Sequence, residues 1–133
     1  MSAERATYLD ASALVKLANE EVESAPLRRY LRTRRWLVTS ALTRTEVARA
    51  LIPLGETIRR RGQEALSRCE IVRVNDRILN RAGALTPVDL RSLDAIHLTT
   101  AETLAEDLGR VVTYDARMAA GAKALGLAVS APA

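Results

Sequence analysis

Short apolar runs alternating with amphipathic segments leave this chain few architectures. Ala6–Leu9, Trp36–Val38, Ile71–Val74, Val111–Thr113 and Leu127–Val129 read as short strands rich in Val, Leu and Ile. The stretches between them carry helical periodicity. Helices are expected over Ser12–Ala18, then from near Pro26 with Leu27, Tyr30 and Leu31 on one face. A third, from Leu42, presents Val47, Ala50, Leu51 and Leu54 and is interrupted by Pro53 and Gly55. Glu56–Ser67, Arg77–Ala84 and Ala116–Leu125 follow the same pattern, and Thr86–Arg91 reads as a loop. Leu93–Leu108 is expected as the longest helix, stopped by Gly109. Strands separated by helices require right-handed crossovers, hence a parallel sheet covered on both faces. Two helices fall between the second and third strands, so that connection departs from simple alternation.

Composition narrows the class. A chain of 133 residues with 48% hydrophobic and 27% charged residues can bury a core and is too apolar for disorder. Without Phe, that core must be built from Leu, Val, Ile and Ala. The net charge is +4, and only Lys16 and Lys123 among the 20 basic residues are lysines. Arginine forks grip phosphate, although a GC-rich genome produces the same bias. The single cysteine, Cys69, excludes an internal disulfide or a cysteine zinc cluster and reads as a buried thiol. The polar stretch Met1–Thr7 does not resemble a signal peptide, and no apolar run reaches the roughly 18 residues of a membrane span. A cytoplasmic protein with no membrane association is expected.

In an open parallel sheet, ligands bind at the carboxyl ends of the strands. Asp10 follows the first strand directly and Asp115 follows the fourth. Asp94 falls in the first turn of its helix and Glu46 near the start of its own, so four carboxylates can share one rim. Each aspartate taken singly is more often a helix cap or a partner of the helix dipole than a catalyst. Glu46 discriminates better, since it lies beside an apolar stripe where an unpaired carboxylate is costly, although a solvated edge also accommodates it. His97, the only histidine, lies three residues beyond Asp94; it can reach the site or simply pack.

Four segments carry a resemblance: Tyr8-Leu9-Asp10-Ala11-Ser12, Thr45-Glu46-Val47-Ala48-Arg49, Leu93-Asp94-Ala95-Ile96-His97 and Val112-Thr113-Tyr114-Asp115. In this order they resemble the motifs of PIN-domain nucleases, and most closely the VapC toxins of bacterial toxin–antitoxin pairs. The likeness runs from Tyr8 to Val129. It implies one PIN domain over residues 1–133: an α/β fold, a three-layer α/β/α sandwich around a parallel sheet of about five strands. It implies Mg²⁺ or Mn²⁺ held by Asp10, Glu46, Asp94 and Asp115 as the catalytic acids, supported by Ser12 and Thr113. It implies a metal-dependent endoribonuclease acting as a toxin against translation and growth, a VapB-type antitoxin partner, and a homodimer. Where PIN domains often carry Asn between the last Thr and Asp, this chain has Tyr114, whose side chain offers no amide.

The chemistry suits the residues. Carboxylates gathered together raise one another's pKa, and a hard divalent cation with oxygen ligands relieves the repulsion. Hydrolysis by metal-activated water then gives 5′-phosphate and 3′-hydroxyl ends. One histidine excludes a paired-histidine mechanism and, with one cysteine, argues against zinc. Arg91 is a candidate for phosphate contact, as are Arg28 and Arg32 in the first of two basic clusters; solvated helix faces are the simpler account of both clusters. Two other readings compete. A haloacid-dehalogenase-like phosphotransferase also uses a strand-end Asp, but its second Asp would fall where Ser12 stands. A catalytically inactive PIN-fold RNA-binding module has no need of all four acids.

Overall fold

The computed structural model describes residues 4–133, so the first three residues of the polar Met1–Thr7 stretch lie outside it. Five parallel strands form one sheet in the order β3-β2-β1-β4-β5: β1 (Ala6–Leu9), β2 (Leu37–Ser40), β3 (Glu70–Val72), β4 (Leu108–Val112) and β5 (Val129–Ser130). The helices are α1 (Ala11–Ala18), α2 (Ser24–Leu31), α3 (Leu42–Leu51), α4 (Glu56–Ser67), α5 (Asp76–Gly83), α6 (Ser92–Glu102) and α7 (Ala116–Ala124). This is the expected three-layer α/β/α arrangement.

Side-chain alternation along the central strands sorts the layers. Leu9 and Val112 point into a core with Leu14, Leu27, Val47, Leu51 and Cys69 from the α1–α4 side. Their neighbours Tyr8 and Val111 point the other way, toward Ala101 of α6. Met118 and Ala122 of α7 close that layer around Leu98. A period of two in β1 and β4 thus separates the faces, as the pleat requires. Burying apolar surface on both faces is what fixes the register.

Several boundaries move. The helix expected over Leu93–Leu108 covers Ser92–Glu102, and α4, with 12 residues, is the longest. Thr100 Oγ1 donates to the Ile96 carbonyl and Thr103 Oγ1 to the Thr100 carbonyl, local bonds that compete with the helical ladder. A 3₁₀ turn follows at Ala105–Asp107, where Ala105 has φ 49°. Gly109 does not stop a helix; it lies within β4. The register steps from Ala6↔Leu108 to Thr7↔Arg110, so Gly109 is the extra residue of a bulge. A Cβ there would meet the Ala6 carbonyl at 3.1 Å and Arg5 Cβ at 3.0 Å.

β2 begins at Leu37 and not at Trp36, and runs on to Ser40, because its last two residues are buried and satisfied despite being polar. Thr39 Oγ1 donates to the Leu9 carbonyl at 2.6 Å, and the Leu42 N–H donates to Ser40 Oγ at 3.1 Å. β3 excludes Val74 and β5 starts two residues later than expected, at Val129. On α3, Val47 and Leu51 are buried, but Ala50 faces solvent, and Leu54, beyond the end of the helix, is exposed as well. Two helices do lie between β2 and β3, joined through the 3₁₀ turn Ile52–Leu54 and Gly55 at φ 92°. No helix among the described residues is long and apolar enough to cross a membrane.

Candidate active site

From β1 the chain lays β2 and β3 to one side, then returns to place β4 and β5 on the other. The strand order therefore reverses between β1 and β4, and the crevice outside their carboxyl ends is where such sheets bind ligands. Asp10 and Asp115 emerge there.

Asp10 caps α1 and is buried, with 4% of its surface exposed. Its Oδ1 accepts from Ser12 Oγ at 2.6 Å and from the Ala13 N–H at 3.2 Å; Oδ2 accepts from Thr113 Oγ1 at 2.6 Å. The Ser12 hydroxyl accepts the Tyr114 N–H at 2.9 Å, and the Thr113 hydroxyl accepts the Asp115 N–H at 3.1 Å. One net thus joins the β1–α1 and β4–α7 junctions. Burial pushes the Asp10 carboxyl above its usual pKa, and the hydrogen bonds only partly offset this.

Glu46, Asp94 and Asp115 line a cavity of about 610 Å³, together with Arg91 and Arg117. Asp115 is also the cap of α7, its Oδ1 accepting from the Arg117 and Met118 N–H groups. Burial raises the Asp94 pKa, and the charges of Asp115 and Asp10 raise it further, while His97 and Arg117 oppose them. Asp10 is not on the cavity wall, but it lies close enough for its charge to be felt by Asp94.

Glu46 owes its place to a contact that the sequence hides. Its Oε1 lies 2.6 Å from His97 Nε2, and His97 Nδ1 lies 2.7 Å from the hydroxyl of Tyr8. The i to i+3 spacing from Asp94 turns His97 toward the rim, but nothing local pairs it with a glutamate 51 residues away on another helix. His97 is buried, with 2% of its surface exposed.

The remaining candidates divide. Arg91 is on the wall of the acidic cavity. Arg28 and Arg32 line a separate cavity with Arg34, Arg35 and Arg68, beside the first residue of β2 and hence at the amino ends of the strands. Arg28 is already engaged there, its Nη1 2.8 Å from Glu20 Oε1. Tyr114 supplies no amide: its hydroxyl donates to the Pro132 carbonyl at 2.7 Å, and Lys16 Nζ sits 4.9 Å from its ring centre.

A doubly covered parallel sheet with acids gathered at its switch point defines a class of strand-edge ligand sites, and similarity to known proteins names the family. Residues 7–124 match the PIN domain, and the chain belongs to the PIN-domain family. It is 58% identical to Ribonuclease VapC46 of Mycobacterium tuberculosis, over 96% of this chain and 98% of that protein. To Ribonuclease VapC35 of the same organism it is 43% identical, over 94% and 96%. A toxin–antitoxin complex from Klebsiella pneumoniae shares the fold with a TM-score of 0.72, at 23% identity over 96% of this chain and 98% of that one.

The family implies a divalent metal. Among the described residues, no three acid, His or Cys side chains close on a single point. The donor set is nonetheless what a hard cation takes: carboxylate oxygens, with the Asp94 pKa raised first by burial and then by its acidic neighbours. Mg²⁺ in particular keeps several waters and needs only one or two carboxylates, so an open set fits it.

Proposed function

We propose that this chain is a metal-dependent endoribonuclease, the toxin of a VapBC-type pair that cuts cellular RNA and so arrests translation and growth. The observation carrying this is the convergence of Glu46, Asp94 and Asp115 on one cavity, with Arg91 and Arg117 beside them, in a chain 58% identical to a ribonuclease. Asp10, Glu46, Asp94 and Asp115 would hold Mg²⁺ or Mn²⁺. Bound there, the ion would polarise the phosphodiester and ease deprotonation of water.

The chain's own residues do the rest. Ser12 and Thr113 hold Asp10 in one orientation, and with it the two junctions that carry the acids. Arg91 and Arg117 bring positive charge to a wall that would otherwise repel RNA. Water adds to phosphorus as the bond to the 3′-oxygen breaks, leaving 5′-phosphate and 3′-hydroxyl ends. A phosphotransferase of the haloacid-dehalogenase kind is not favoured, given the family.

The test is cleavage of RNA by the purified protein with Mg²⁺ or Mn²⁺. Activity should vanish with EDTA and in Asp94→Asn, with an unchanged circular dichroism spectrum. Undiminished cutting by folded Asp94→Asn would reject the assignment. We further propose a VapB-type antitoxin as partner, supported by the toxin–antitoxin complex that shares this fold, and a homodimer. Co-expression with a candidate VapB-type protein should suppress cleavage, and size-exclusion chromatography with light scattering reads the dimer.

A further inference from the structure

Three side chains from three elements meet end to end: Tyr8 of β1, His97 of α6 and Glu46 of α3. A carboxylate can only accept, so at 2.6 Å from Glu46 Oε1 it is His97 Nε2 that carries hydrogen and donates. On the ring's other side Nδ1 lies 2.7 Å from the Tyr8 hydroxyl, which can donate to it or accept from it. The phenol is fully buried, and it stands edge-on to the imidazole, with ring centres 6.0 Å apart. Glu46 keeps 24% of its side chain exposed and lines the acidic cavity.

We propose that Tyr8 and His97 are positioning residues for Glu46: the buried tyrosine anchors the imidazole through Nδ1, and the histidine tethers one glutamate oxygen so that the other faces the cavity. The proposal rests on the reading of Glu46 as a site acid. A glutamate on an open helix face samples many rotamers, and freezing it during the reaction costs free energy. Here the cost is met on folding. Among the described residues Oε2 has no protein hydrogen bond, so the tether leaves one acceptor free for water, metal or substrate. A histidine serving packing alone would need no partner on the cavity wall; this one sends its outward nitrogen to an acid lining the cavity.

The chain holds one histidine, so its imidazole nitrogens give unique NMR signals. In the metal-free protein, ¹⁵N-edited spectra should show a protonated Nε2. Tyr8→Phe, which removes the partner of Nδ1, should leave Nε2 protonated but free the ring to move, and Mn²⁺ affinity should fall severalfold. Calorimetric titration with Mn²⁺ alone should show affinity falling about 10–100-fold in His97→Leu, the usual cost of losing such a support. His97→Gln, which keeps a donor near the Nε2 position, should restore most of it. RNA cleavage should lose kcat in His97→Leu with little change in KM.

A bare Nε2 in the wild type, or His97→Leu with wild-type Mn²⁺ affinity and kcat, overturns the positioning role. Should His97→Leu not fold, the wild-type Nε2 signal and the Mn²⁺ affinity of Tyr8→Phe decide alone, an unchanged affinity overturning the role. Glu46→Gln separates the two levels. Full cleavage by that variant overturns the site reading and this role with it. Lost cleavage in Glu46→Gln beside intact cleavage in His97→Leu overturns this role alone.

Discussion

Asp10 is held against its own chemistry, because burial raises its pKa while three donors stabilise the ionised form. Removing one donor without changing shape should expose the conflict. Thr113→Val leaves Oδ2 without its 2.6 Å partner and the Asp115 N–H without an acceptor. A hydrogen bond to a buried charge is worth about 1.5–3 kcal/mol, so urea unfolding of the metal-free protein should show a loss of about 2 kcal/mol. An unchanged midpoint would mean that water replaces the hydroxyl. Asp94 points the other way. Its folded pKa is raised by burial and by Asp115 and Asp10, so its ionised form opposes folding at neutral pH. Asp94→Asn should therefore raise the Tm of the metal-free protein. The gap should close as pH falls through the raised pKa, where the wild type protonates too; a gap that widens on acidification contradicts this account. The four acids were legible in the sequence as positions at strand ends and helix starts. What held them was not: Ser12 and Thr113 were visible only through family resemblance, and the His97–Glu46 contact spans elements that nothing local connects.

At the scale of elements, the five strands and most helices could be read because each buries an apolar face with its own period. Errors gathered where polar residues go inside. Thr39 and Ser40 extend β2 because their hydroxyls find backbone partners, and the threonines of α6 end it early through local bonds. Glycine misled in the same way, since Gly109 serves close approach and not termination. Gly62 makes the same point inside α4. A Cβ there would lie 2.5 Å from Leu51 Cδ1 and 3.2 Å from Val47 Cγ1, both on α3 and both buried. Gly62→Ala gains about 1 kcal/mol in helix propensity, but overpacking costs about 1–3 kcal/mol. Leu51 is only 1% exposed and has little room to turn aside, so packing should win. Thermal unfolding should show a net loss of about 1 kcal/mol, and a stabilised variant would show that α4 can move away from α3.

Across the whole molecule, two groups of arginines stand at opposite ends of the strands. The acids stand at the carboxyl ends with Arg91 and Arg117; the Arg28–Arg35 cluster and Arg68 stand at the amino ends. A strand of four residues spans roughly 13 Å, so a phosphate at the acidic cavity cannot also touch the arginine cavity. The net charge of +4 thus need not act as one patch. If RNA is drawn in by local contacts, Arg91 matters to any substrate, whereas Arg32 matters only to one long enough to pass from rim to rim. On a short single-stranded oligonucleotide, with Ca²⁺ in place of Mg²⁺ to prevent cutting, Arg91→Ala should flatten the slope of log affinity against log salt by about 0.7, the share of one phosphate contact. Arg32→Ala should leave that slope unchanged. Equal losses from the two variants would mean that the protein attracts RNA by overall charge, and that the arrangement of arginines around the acidic cavity does not guide the strand.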